Sequence, residues 1–126
     1  MKDIIRTGEV SSIDFKNGMI KVTYQDRDND VTDSIPYLSL NGEYKMPNEG
    51  DMVVVLHLSN GSSFGIALGT FWSDGNKPYK TGKGLYRKEL SNALNEAYFE
   101  YDSSTNTLII KANNVVIQSN KGTTSL

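Results

Sequence analysis

The chain has 126 residues, 37% apolar and 22% charged, a globular composition with room for one ordinary domain and a small appendage. It contains no cysteine, which excludes a disulfide framework, a thiolate metal site and a cysteine nucleophile. The net charge of −2 is unevenly divided: residues 1–75 carry 6 basic and 11 acidic groups, and residues 76–126 carry 7 and 4. No apolar stretch approaches the length needed to cross a bilayer as a helix. Residues 1–10 lack the apolar core of a signal peptide.

The first half reads as short β signals between turn residues. Residues 4–15 are β-rich, and Gly8 within them suggests a bulge or sharp bend. Lys16, Asn17 and Gly18 suggest a type I′ hairpin turn, because Asn-Gly supplies the positive φ angles that it requires. Over residues 19–25, Ile20, Val22 and Tyr24 share one face, with Lys21, Thr23 and Gln25 on the other. Residues 26–30 form a polar turn. Residues 31–40 resume β character, with Pro36 marking an edge or an end. Residues 41–51 are irregular, broken by Gly42, Pro47 and Gly50.

Residues 52–58 are too uniformly apolar for one wet face and predict a central, buried strand. Ser59, Asn60, Gly61 and Ser62 turn the chain into a fifth strand over residues 63–71. There Phe64, Ile66 and Leu68 alternate with Gly65, Ala67 and Gly69, so the small face is a packing surface open to close approach. Five strands with one longer excursion suggest a small Greek-key barrel of the OB kind, with an SH3-like barrel as rival.

Residues 73–84 read as a connector. Its basic residues (Lys77, Lys80 and Lys83, with Arg87 and Lys88 beyond) suit a solvated linker or an acidic protein surface. Over residues 85–97, Leu90, Ala93, Leu94 and Ala97 have the spacing of a short amphipathic helix, yet the flanks look extended. Residues 97–102 alternate Tyr98 and Glu100 against Phe99 and Tyr101. After a turn at residues 103–106, residues 107–119 contain two six-residue strands that nearly repeat, Leu108 matching Val115 and Ile110 matching Ile117. So short a pair cannot bury its own apolar side chains, and the tail needs partner chains. The domains expected are residues 1–75, a linker over 76–96 and a tail over 97–126.

No chemistry-bearing pattern is complete. The carboxylates of Asp26, Asp28 and Asp30 open like a calcium loop, but Val31 and Tyr37 occupy the positions where Gly and Glu belong. His57 is the only histidine and sits between Leu56 and Leu58, as a structural histidine would. Gly61, Gly65 and Gly69 fit no nucleotide-binding template. These readings predict no catalytic residue, no metal and no cofactor. An OB barrel also raises single-stranded nucleic-acid binding as the alternative function. Tyr24 and Tyr37 offer stacking, but Asp26, Asp28, Asp30 and Asp33 against Arg27 would repel phosphate.

An ordered set of segments carries a resemblance. It comprises Gly8-Glu9-Val10 with Ile13-Asp14, residues 20–26, Ile35-Pro36-Tyr37, Tyr44-Lys45-Met46-Pro47, residues 50–55 and Gly65-Ile66-Ala67-Leu68-Gly69. Together these resemble the phage baseplate assembly protein V family, the central spike proteins of contractile tails, tailocins and related injection systems. The resemblance covers about residues 5–76 and continues more loosely through Tyr98-Phe99-Glu100-Tyr101-Asp102 and the repeat strands.

It implies an all-β chain: a five-stranded OB-like barrel, then a short intertwined β-helix or β-prism formed as a homotrimer. The trimer would plug the tail tube, contact a baseplate hub protein and touch the target membrane transiently during puncture. The implied location is the baseplate of a virion or tail-like particle made in the bacterial cytoplasm. Leu108, Ile110, Val115 and Ile117 are the trimer-axis candidates. Longer members wind further, and some end in an iron-binding His-x-His tip or carry a fused lysozyme domain. This sequence has neither, so a blunt spike capped by a separate tip protein is expected.

Overall fold

The computed structural model describes residues 4–58 and 64–126, and the expected turn at residues 59–62 lies outside them. The chain is all-β, with no α-helix among the described residues. It divides into two compact units, Met1–Ser73 and Asp74–Leu126. None of the described helical turns is long or apolar enough to cross a membrane.

The first unit contains β1 (Ile5–Asp14), β2 (Met19–Tyr24), β3 (Asp30–Val31), β4 (Ile35–Pro36), β5 (Met52–His57) and β6 (Gly65–Thr70). Its ladder runs β3-β2-β1-β5-β6, with β4 also on β2. β1 serves two neighbours: Ile5–Glu9 pair with β5, and Glu9–Asp14 pair with β2. The switch happens at a bulge at Ser11, where the register with β2 slips between Val10 and Ser12. A parallel bridge joins Tyr37 to Ala67, and the Leu38 amide donates to the Ala67 carbonyl at 2.8 Å, linking the segment after β4 to β6.

Alternation decides the core. Ile20, Val22 and Tyr24 of β2 point inward as their spacing predicts, and meet Val10, Ile35, Met46, Val53, Val55 and Ala67. The expected third strand is broken into β3 and β4. At the break Thr32 is buried, its amide donates to the Val22 carbonyl, and its hydroxyl accepts from the Val22 amide at 3.0 Å. A side chain thus takes the place of a ladder bond, and the Val22 amide keeps a partner.

Three expectations are corrected here. The bulge of β1 lies at Ser11, and Gly8 has another role: a Cβ there would lie 2.8 Å from the Tyr24 ring and would also clash with Val22. Gly8→Ala is therefore expected to cost about 1–3 kcal/mol by overpacking, read from a urea midpoint. An unchanged midpoint would refute the close approach. The hairpin between β1 and β2 pairs Asp14 with Met19, so four residues intervene and the two-residue type I′ turn is absent. Only Gly18 takes positive φ, 64°, while the Asp14 carboxylate accepts from the Asn17 amide and side chain. β5 is central as expected, between β1 and β6, but Met52, Val54 and Leu56 on its second face remain partly or fully exposed.

The second unit contains a three-stranded antiparallel sheet, β7 (Leu85–Glu89), β8 (Tyr98–Asp102) and β9 (Thr107–Lys111), in that order. A hairpin of β10 (Val116–Ser119) and β11 (Gly122–Ser125) follows. β7 lies inside the span expected to be a linker, and β11 was not foreseen. Residues 91–97 are bends and turns, so the helical alternative fails there. The Asn95 φ of 66° and the Leu90 amide donating to the Ala97 carbonyl close that loop instead.

Candidate interaction surfaces

The small face of β6 turns inward. Ala67 is fully buried, and a Cβ on Gly65 would lie 2.7 Å from the Leu56 carbonyl oxygen and 3.2 Å from Val55. Gly65 and Ala67 therefore pack within their own unit. Gly69 sits where β6 slips register on β5, beside the Tyr37 hydroxyl. The bulky side faces outward: Phe64 and Leu68 are exposed and Ile66 is half-buried. Ile5, Leu56 and Ile66 form one cross-strand row on that outer face.

Inside the unit, polar groups gather at one end of the core. The Phe64 carbonyl can only accept, so at 3.1 Å His57 Nδ1 carries a proton and donates to it. Nε2 then accepts from the Tyr24 hydroxyl at 2.5 Å. Burial pushes the Tyr24 phenol up to about 12, so it stays protonated as that donor. The Arg6 guanidinium stacks on the Tyr24 ring at 3.8 Å and pairs with Asp26 at 2.7 Å. Tyr24 is thus enclosed and unable to stack on a base. Asp26 holds a cation of its own chain, and among the described residues no three His, Asp or Glu side chains gather as a metal-binding group.

The two faces of the second unit's sheet differ sharply. On one, Arg87 lies opposite Glu100 across the β7–β8 ladder and bonds its carboxylate at 2.7 Å. Lys80 reaches the second Glu100 oxygen at 2.8 Å, and Arg87 also bonds Glu89 at 2.5 Å and the Asn95 side-chain carbonyl at 3.0 Å. Tyr98 lies 3.6 Å beneath the guanidinium. Hydrogen bonds from Lys80 and then Arg87 hold the Glu100 carboxyl below its usual range, and Glu89 raises Arg87 above its own. Glu100 is 2% exposed and is the one buried residue of the whole unit.

The other face carries Tyr86, Lys88, Phe99, Tyr101, Leu108 and Ile110. Leu108 is 66% exposed, Ile110 52% and Ile117 57%, while Val115 is half-buried. The axis candidates therefore sit on exposed strands. Leu108 and Ile110 share one face of β9, opposite Tyr101 and Phe99. Val115 accepts from the Leu126 amide next to the β10–β11 hairpin, and Ile117 is in β10. The repeat strands do not pair with one another: β9 pairs with β8 and β10 with β11. The ion network and the aromatic half of the open face were missed in the sequence. The alternation of Tyr98 and Glu100 against Phe99 and Tyr101 held the signal, since a carboxylate in line with an inward aromatic requires a cation across the ladder.

A scan against protein-family models finds no match to this chain, and a search of curated proteins finds none either.

Proposed function

We propose that the chain is the central-spike component of a contractile injection system, a structural homotrimer that plugs the tail tube and helps to pierce the target envelope. It is not an enzyme in this reading, and its work is mechanical. The first unit is an OB-like barrel that seats on a baseplate hub protein. The second begins the trimeric spike, with Leu108, Ile110, Val115 and Ile117 toward the axis and a separate tip protein beyond.

The barrel reading is supported by the order β3-β2-β1-β5-β6 together with the parallel bridge from Tyr37 to Ala67, which brings the two ends of the ladder together. The function rests on the resemblance over residues 5–76 and on one physical observation. Every strand of the second unit pairs with a neighbour, yet the unit has no buried apolar residue, so its strands lie without a core of their own.

Light scattering on the full chain tests this. The expected mass is three times the 14.0 kDa of one chain, independent of dilution through the micromolar range. A stable monomer whose residues 98–125 still resist hydrogen exchange would overturn it. Contractile particles from the source cells are further expected to contain the chain at three copies per baseplate.

A further inference from the structure

We infer that the outer face of β1, β5 and β6 is a docking surface for an amphipathic helix of another protein, apolar along its contact and carrying lysine or arginine at one end. The inference stands on the first unit alone, and it adds to the proposed function a face and a chemistry for that unit's partner.

Register builds the face. Ile5, Leu56 and Ile66 form its middle row. Leu58 and Phe64 extend it at one end, where the Leu58 amide donates to the Phe64 carbonyl at 3.3 Å. Val54 and Met52 carry it along β5 to the other end. The unit already has a core on the opposite side of these strands, so the outer row is not needed to hold it together. Contiguous apolar surface left open on a unit with its own core marks a contact. From Met52 to Leu58 the chain rises about 20 Å, the length of about 14 helical residues.

Charge decides the partner. No outward residue of these three strands is Lys or Arg, and Arg6 is buried. Glu9 stands opposite Met52 at one end of the face, and a Cβ on Gly50 would lie 3.8 Å from its carboxylate. The turn at Gly50 also holds Glu49 and Asp51, so the apolar row ends in three carboxylates. Residues 1–75 carry 11 acidic and 6 basic groups. That balance repels nucleic acid and anionic lipid, and a second copy brings the same carboxylates with no cation to answer them. A helix with lysine or arginine in its last turn answers both the row and its acidic end. A strand added at the edge of β6 is excluded at Ala67, whose carbonyl already takes the Leu38 amide, so the cover lies on the face.

The test titrates the full chain with a synthetic helix of about 14 residues, bearing a leucine face and lysines in its last turn, and with the same helix carrying glutamates in their place. The lysine helix is expected to bind about tenfold tighter or more, and Glu9→Gln to narrow that preference. Ile5→Ser with Leu68→Ser is expected to weaken the lysine helix about tenfold or more. These side chains are 62% and 41% exposed, so their truncation leaves no cavity and the urea midpoint should hold. If the midpoint falls, Glu9→Gln decides. Equal binding of the two helices, binding of neither, or undiminished binding to the double variant overturns the inference. So does a double variant that loses mass without any helix present, which assigns the face to a contact between copies, or one that loses an affinity of the unmodified chain for anionic vesicles. The mass of the unmodified chain tests the trimeric reading separately.

Discussion

Replacing Glu100 by alanine is expected to unravel the β7-β8-β9 sheet while leaving the first unit folded. The carboxylate is the hub of the network: one oxygen meets Arg87 and the other meets Lys80. Removing it leaves Arg87 with Glu89 as its one remaining carboxylate and opens a gap beside Tyr98 and Asn95, and breaking up a buried ion network is among the more damaging single changes. Amide exchange over residues 85–111 should accelerate by about a hundredfold or more. Exchange at Val53 and Val55 in the first unit should stay as it was. Glu96→Ala, at an exposed position in the adjoining turn, is the control and should change little. Equal exchange in Glu100→Ala and Glu96→Ala would mean that the network is ornamental.

The same network sets a pH window. Lys80 and Arg87 depress the folded Glu100 carboxyl below 4.5, so its stabilisation is complete above that value and fades as pH falls through the folded one. Asp102, lowered by bonds from the Ser104 hydroxyl and amide, adds loss in the same direction. At the other end, Glu100 raises Lys80 above 10.5, so that contribution is present below 10.5 and fades as pH climbs past the folded value. The protection of residues 85–111 should therefore be level between these limits.

The second large effect is expected from Tyr24→Ala. The ring is buried in the core, under Arg6, and its hydroxyl satisfies His57. Deleting a buried aromatic costs about 3–5 kcal/mol, a large part of the 5–15 kcal/mol that holds a typical domain. Tyr24→Phe keeps the ring and removes only the donor, leaving Nε2 of His57 enclosed and unpaired at about 1–3 kcal/mol. Because the two side chains share one bond, Tyr24→Phe with His57→Phe should cost about 1 kcal/mol less than the sum of the singles. Exchange at the Val53 and Val55 amides reads all three. Strict additivity would place the 2.5 Å contact outside the energetics.

The first unit was largely legible because its alternation is clean. Ile20, Val22 and Tyr24 lie between a turn ending in Gly18 and a polar segment starting at Gln25, and their inward face follows from period alone. Met52 to Leu56 gave the centre of the sheet but not its exposure, since an apolar run cannot tell a face buried at home from one open to a partner. β7 escaped notice because its inward residues are Arg87 and Glu89, and only the ladder with β8 reveals Glu100 between them. β11, Gly-Thr-Thr-Ser, has no apolar residue to announce it. At the loop after β7, the spacing of Leu90, Ala93, Leu94 and Ala97 mimicked a helix, yet Asn95 adopts a left-handed backbone that ends any such turn. The axis candidates were readable as apolar repeats; their neighbours Tyr101 and Phe99 became visible only through register.

The placement of the single hydrophobic core bears on how the molecule is made. Every core residue lies between Val10 and Ala67, so synthesis from the amino end delivers a complete nucleus well before Leu108 leaves the ribosome. The greasy strands of the tail thus emerge tethered to an already finished, acidic head. In the trimer proposed above, that head would keep nascent neighbours soluble while they find one another, and the meeting of tails, rather than collapse of a single chain, would be the slow and concentration-dependent step.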